Sequence, residues 1–220
     1  MNKNFHILIL IFLAISSVAQ VSKFPDGVYL SLDQLKSLKP AFNADFQISK
    51  SVNSYTGLTG SDDYELRSKI DSLDRKYIRK KIVAYKKNDS LFLNCYQQKL
   101  GSWYALCLTE GNFLTFVAGM SSAKTSEETA LYGFMFGAIG SGIAGANAAK
   151  KRFLYVLSLR TGNARLLKKE YLEERLKENQ NLLDQFTIEK EKDSASVLIK
   201  YINLLNGIVL INSGGPVQPK

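Results

Sequence analysis

The chain has 220 residues, 45% of them hydrophobic and 22% charged, a usage that excludes a fibrous or wholly disordered protein. Its 29 basic and 20 acidic residues leave a formal charge of +9, and its one histidine is His6.

Residues 1–19 read as a secretory signal. Lys3 gives the positive start, residues 5–15 are apolar apart from His6, and Ser17 and Ala19 are the small residues of a cleavage site. Those eleven residues, at about 1.5 Å each, cover about half of a roughly 30 Å hydrocarbon core, so cleavage is expected rather than a retained anchor. No cysteine follows the site, so a lipid attached there is not indicated. The mature chain then starts at Gln20, and its 201 residues suffice for one domain, 20–212, with a flexible tail at 213–220. It carries 28 basic residues against 20 acidic and no histidine. The missing imidazole removes Ser-His-Asp triads, Cys-His pairs, His-Glu zinc motifs and histidine proton shuttles within one chain. An exported protein of positive balance is expected to meet lipid headgroups or acidic glycans, not nucleic acid.

Taken in order, residues 28–30 look extended, and Ser31-Leu32-Asp33-Gln34 matches a capping box with Leu30 and Leu35 as a hydrophobic staple. A short helix follows, which Pro40 ends through its restriction of Lys39. Residues 42–48 alternate as a strand does, and 49–63 form a polar, Gly-containing loop. Residues 77–85, 91–96, 103–109 and 113–117 predict an antiparallel β-meander, punctuated by Lys87-Asn88-Asp89, a loop centred on Gly101, and Glu110-Gly111-Asn112. In that register Phe92, Tyr104, Leu106, Leu108, Leu114 and Phe116 share one face, and Leu91, Leu93, Trp103, Phe113 and Val117 the other. Both faces are apolar, so each must be covered. Residues 153–159 are a further strand, closed by the turn Arg160-Thr161-Gly162-Asn163. Two C-terminal helices follow, one with Leu172, Leu176, Leu183 and Phe186 on its inner face, the other with Val197, Leu198, Tyr201, Ile202 and Leu205 and with Gly207 as its C-terminal cap. Residues 208–211 read as an edge strand. The fold class is α+β: an antiparallel meander sheet, a short N-terminal helix, a Gly-rich helical or loop segment and two C-terminal helices.

Several stretches carry a family likeness: Ala19-Gln20, Gly27-Val28-Tyr29-Leu30-Ser31, the run Tyr155-Val156-Leu157-Ser158-Leu159-Arg160-Thr161-Gly162, and Tyr201-Ile202-Asn203 with Asn206. In these the chain resembles small exported proteins of unknown function common in Bacteroidota. The resemblance implies an envelope setting, periplasmic or associated with the outer membrane, and transfers no catalytic residue.

The Gly-rich segment 129–149 holds 21 residues without a charge and five glycines. Thr125 and Glu128 make a capping box before it, and Lys150, Lys151 and Arg152 follow where cations suit a helix end. Each glycine costs a helix about 1 kcal/mol relative to alanine, so close packing along Gly133, Gly137, Ser141 and Gly145 would have to compensate. Three readings stay open: a membrane span of about 31 Å, a segment packed on the sheet or on a second copy of the chain, and a nucleotide loop spelled Gly140-Ser141-Gly142-Ile143-Ala144-Gly145. The last lacks a preceding strand and an acid after the next one.

Seven cations lie between Asp74 and Asp89 without an intervening acid. On an extended strand they would guard an edge; as a site, Arg75, Lys76, Arg79, Lys80 and Lys81 would draw an anionic lipid or glycan, with Tyr77 and Tyr85 as aromatic contacts. Cys95 and Cys107 are symmetric about Gly101, so either a cross-strand disulfide or two small buried hydrophobes is expected. Glu65, Asp71, Asp74 and Glu110 are acids that a hydrolase could pair, whereas Glu170, Glu173, Glu174 and Glu178 alternate with cations as a solvated helix face does. No metal-ligand spacing is seen, and no cofactor is expected. The functional expectation is non-enzymatic binding or assembly at a membrane or partner surface, with a homo-oligomer open, and a carboxylate-dependent hydrolase of envelope glycans as the alternative.

Overall fold

The computed structural model describes residues 24–50, 63–68, 73–100, 103–119 and 152–213, with side chains placed to residue 207. The signal segment, the Gly-rich positions Gly133, Gly137, Ser141 and Gly145, Asp71 and the tail after 213 lie outside the described residues.

Local chemistry starts the fold as expected. After strand β1 (Gly27–Tyr29), Ser31 caps helix α1 (Leu32–Lys36), its Oγ accepting from the Gln34 N–H at 3.2 Å. The Gln34 amide oxygen accepts from the Leu30 N–H at 2.7 Å, so the box closes one residue further back than its usual form. The helix stops before Pro40 can act: Leu38 turns left-handed at φ 56°, and the Lys39 N–H returns to the Gln34 carbonyl at 3.0 Å.

The basic run is the main departure from expectation. Arg75–Lys81 is helix α2, capped by Asp74, whose carboxylate accepts from the Tyr77 N–H at 2.5 Å. Ile78 and Ile82, four apart, are both buried against the sheet, a helical spacing hidden among β-favouring residue types. Only Ala84–Lys87 (β4) is strand.

Strands β2 (Phe46–Lys50) and β3 (Asp63–Ser68) join β1, β4, β5 (Ser90–Asn94) and β6 (Tyr104–Leu106) in an antiparallel sheet of order β1-β4-β5-β6-β3-β2. A second antiparallel sheet has β8 (Arg152–Ser158) between β7 (Phe113–Gly119) and β9 (Ala164–Leu166). The Cys107–Phe116 bridge and the Leu108 N–H to Thr115 carbonyl bond, 2.7 Å, carry one sheet into the other. This corner flips the expected faces. Leu114 and Phe116 join Leu91 and Leu93 between the sheets, whereas Phe92 and Tyr104 face outward beneath α2.

The expected first C-terminal helix is two, α3 (Lys169–Leu176) and α4 (Gln180–Thr187), because the Asn179 side chain caps a new start at the Leu182 N–H. The last, α5 (Ala195–Ser213), runs through Gly207, so that glycine is not a cap and 208–211 are helical, not an edge strand. The three helices cover the outer face of the second sheet around Val156, Leu172, Phe186 and Tyr201. The fold is therefore α+β, with a curled antiparallel sheet and helices on both outer faces. Among the described residues, no helix is long and apolar enough to cross a membrane.

Candidate functional site

Helical geometry gathers what a strand would have scattered. At 3.6 residues per turn, positions 75, 76, 79 and 80 share one face of α2, and Arg75, Lys76, Arg79 and Lys80 together wall a cleft of about 560 Å³. Its floor is Tyr64 and Leu66 of β3 with Tyr104 of β6 and Trp103 just before it. Of the five cations expected to bind an anion, Lys81 alone is not among the lining residues. Further along the run, Lys86 is buried against Glu110 and Lys87 pairs with Asp45, so neither serves the cleft.

Buried polar bonds hold the cationic wall in place. The Asn94 amide donates to the carbonyls of Arg79 at 2.7 Å and Ile82 at 2.6 Å, and the Tyr104 hydroxyl donates to the Ile78 carbonyl at 2.6 Å. These bonds satisfy carbonyls at the C-terminal end of α2 that the helix itself leaves open. Burial pushes the Tyr104 hydroxyl well above its ordinary value, so it stays protonated and donating.

Charge in the cleft is uneven. Glu65 is held by Arg67 at 2.8 Å and Arg75 at 2.9 Å, and the Arg79 guanidinium lies 5.0 Å from the centre of the Tyr96 ring. Lys76 and Lys80 are exposed and have no ion-pair partner among the described residues. With four cations and one carboxylate at its lining, the cleft carries an excess of three positive charges. It can attract and orient an anion, and its aromatic floor offers flat apolar faces to a ring.

The aromatic partners differ from those expected. Tyr85 is buried beneath the sheet, its hydroxyl donating to the Ala44 carbonyl at 3.0 Å, and Tyr77 packs on the same apolar cluster. Their place is taken by Tyr64 and Trp103, which sequence reading left out. Trp103 is the one tryptophan in the chain, a signal that could have been used; the approach of β3 to β6 has no local signature.

The acids considered for hydrolysis are dispersed. Glu65 lines the cleft, Asp74 caps α2 and Glu110 neutralises Lys86, so the described residues bring one of the named carboxylates to the cleft where paired-carboxylate chemistry uses two. Glu170, Glu174 and Glu178 are exposed on or just after α3. Among the described residues, no group of three potential ligands could hold a metal ion.

Both cysteines are free and buried. The hairpin turns about Lys99, not Gly101: Phe92 faces Leu106, the Cys95 N–H bonds to the Trp103 carbonyl, and the Cys107 N–H to that of Leu91. The two thiols are thus four residues out of step, and the expected directly opposed pair does not form. Burial pushes Cys95 up to about 12 and Cys107 well above its ordinary value. For Cys95 the linkage sign is clear. Its contribution to stability is full below its ordinary value of 9.0 and is lost as pH rises towards about 12. Iodoacetamide at pH 8 should therefore label both thiols about 100-fold more slowly in the folded protein than in urea, as read by mass spectrometry.

A family model described as a family of unknown function (DUF6563) matches residues 27–209, from the first residue of β1 into α5. No curated protein and no solved structure matches the chain.

Proposed function

We propose that this chain, which belongs to the DUF6563 family of unknown function, is an exported, non-catalytic binding protein that takes an acidic glycan into the cleft beside α2. The observation that carries the reading is the alignment of Arg75, Lys76, Arg79 and Lys80 along one wall above Tyr64 and Trp103. Cations supply long-range attraction for carboxylate or sulfate groups, and aromatic faces suit the C–H surfaces of sugar rings. A concave site admits a chain of sugars; a planar membrane surface would meet only the outer tips of the same side chains. Export rests on the signal-like segment 1–19, which supports an encounter with envelope polymers.

The test is titration calorimetry of the mature chain with a galacturonate hexamer, a neutral glucose hexamer and vesicles of anionic phospholipid. The galacturonate is expected to bind and the neutral sugar not. Raising salt from about 0.05 to 0.5 M should weaken binding at least about tenfold, because the Debye length shrinks towards the ion-pair distance. Arg79→Glu with Lys80→Glu should abolish it while leaving the melting temperature nearly unchanged, since both side chains are exposed. Stronger binding to vesicles than to the oligosaccharide, or binding that survives the charge reversal, would count against the reading.

A further inference from the structure

A second cavity, of about 570 Å³, opens on the other sheet, where the start of β7 and the end of β8 meet the α3–α4 junction and α5. Its chemistry differs from that of the cleft. Phe113, Leu159 and Leu205 give it an apolar wall, with Leu159 and Leu205 themselves buried. Lys36, Arg160 and Arg175 give it three cations against the single acid Glu178. Arg175 Nη2 is bonded to Glu174 at 2.8 Å, and the guanidinium lies 5.6 Å from the centre of the Tyr171 ring. Its Nε, however, is a buried donor with no hydrogen-bond partner among the described residues. That nitrogen is enclosed by the protein, and the part of the guanidinium open to the cavity lies beyond it, the side chain being 24% exposed. Arg160 is exposed and has no ion-pair partner among the described residues.

We infer that this cavity is a binding site for a small amphiphilic carboxylate. The carboxylate pairs with the guanidinium groups of Arg160 and Arg175, while the hydrocarbon part lies on Phe113, Leu159 and Leu205. A charged oxygen acceptor suits the site because Lys36 and Arg175 are already paired with Asp33 and Glu174, whereas Arg160 stands at the lining without an ion-pair partner among the described residues. The size falls within the range of sites for small molecules. The inference is independent of the glycan reading, since it uses another sheet and other residues.

The experiment is calorimetry of the mature chain with decanoate below its micelle concentration, beside decanol and decyltrimethylammonium, which keep the tail and change the head. Decanoate is expected to bind saturably at one per chain, at least ten times more tightly than decanol, with no binding of the ammonium. Arg160→Glu, at an exposed position, and Arg175→Gln should each weaken decanoate at least tenfold. Arg79→Glu with Lys80→Glu should leave it unchanged, which separates this site from the cleft. Absence of saturable decanoate binding, equal affinity for decanol, or affinity untouched by Arg160→Glu would each overturn the inference.

Discussion

Glu110→Ala should cost about 3–5 kcal/mol of folding stability, read as a fall in the urea midpoint with little change in slope. The reason lies in Lys86. It follows Ala84 by two on β4 and so points, like Ala84, into the core between the sheets; its side chain has no exposed surface and its ammonium is 2.6 Å from a Glu110 oxygen. Removing the carboxylate strands a buried cation, whereas removing the lysine leaves a carboxylate that keeps some exposure, 12%, and so costs less. The double change Lys86→Met with Glu110→Leu should recover most of the lost stability, because apolar groups of similar size need no partner there. A double variant as weak as Glu110→Ala would show that the pair is not what holds this corner.

Gly111→Ala should lose about 3 kcal/mol, for two reasons that share one location. Gly111 has φ +156°, and a Cβ built there would lie 2.5 Å from Asn206 Oδ1 and closer still to its Cγ. Asn206 has no freedom to yield. Its Oδ1 accepts from the Phe113 N–H and its Nδ2 donates to the Phe113 carbonyl, both at 2.9 Å, which docks α5 on the first residue of β7. Asn206→Ala alone should cost about 1–3 kcal/mol by leaving both Phe113 groups without these bonds. It also clears the space that a methyl group at position 111 would need, so the two changes together should cost about 1–2 kcal/mol less than their sum. Strict additivity in that cycle would refute the contact as the source of the effect.

What could be read from the sequence was whatever short-range chemistry determines. Ser31 and Gln34 marked the start of α1, and Asn88, left-handed at φ 52°, turns the β4–β5 hairpin where punctuation was expected. Several of the described residues that carry the family likeness are structural. Val28 and Tyr29 are buried in β1, Tyr155 and Leu157 lie in the core between the sheets, and Gly162 takes φ 74° in the turn after β8. Asn206 is the α5 dock. Helix α2 was misread because Tyr77, Ile78 and Ile82 favour strands individually, while the Asp74 cap and the four-residue spacing of the isoleucines favour helix together. Cysteine symmetry about Gly101 misplaced the hairpin by two residues, and a turn with Lys99 at φ 58° has no glycine to announce it.

The cleft was half legible. Its cations stood in one run, and only their common face awaited the helix. Its floor could not be read, since β3 inserts beside β6, so that Tyr64 and Tyr104 become neighbours across a separation no local pattern records. The second cavity draws on α1, β7, β8, α3 and α5, and no motif could announce such a convergence.

The suspension of α2 by Asn94 and Tyr104 bears on what an incoming anion must do. Like charges crowded on two helical turns repel one another, and a free helix would ease that tension by fraying from its C-terminal end. Here the carbonyls of Ile78, Arg79 and Ile82 are tethered to the sheet, so the folded protein keeps the tension. On the proposed reading, an anion that settles among these side chains discharges a frustration already present and finds its counter-charges in position before it arrives.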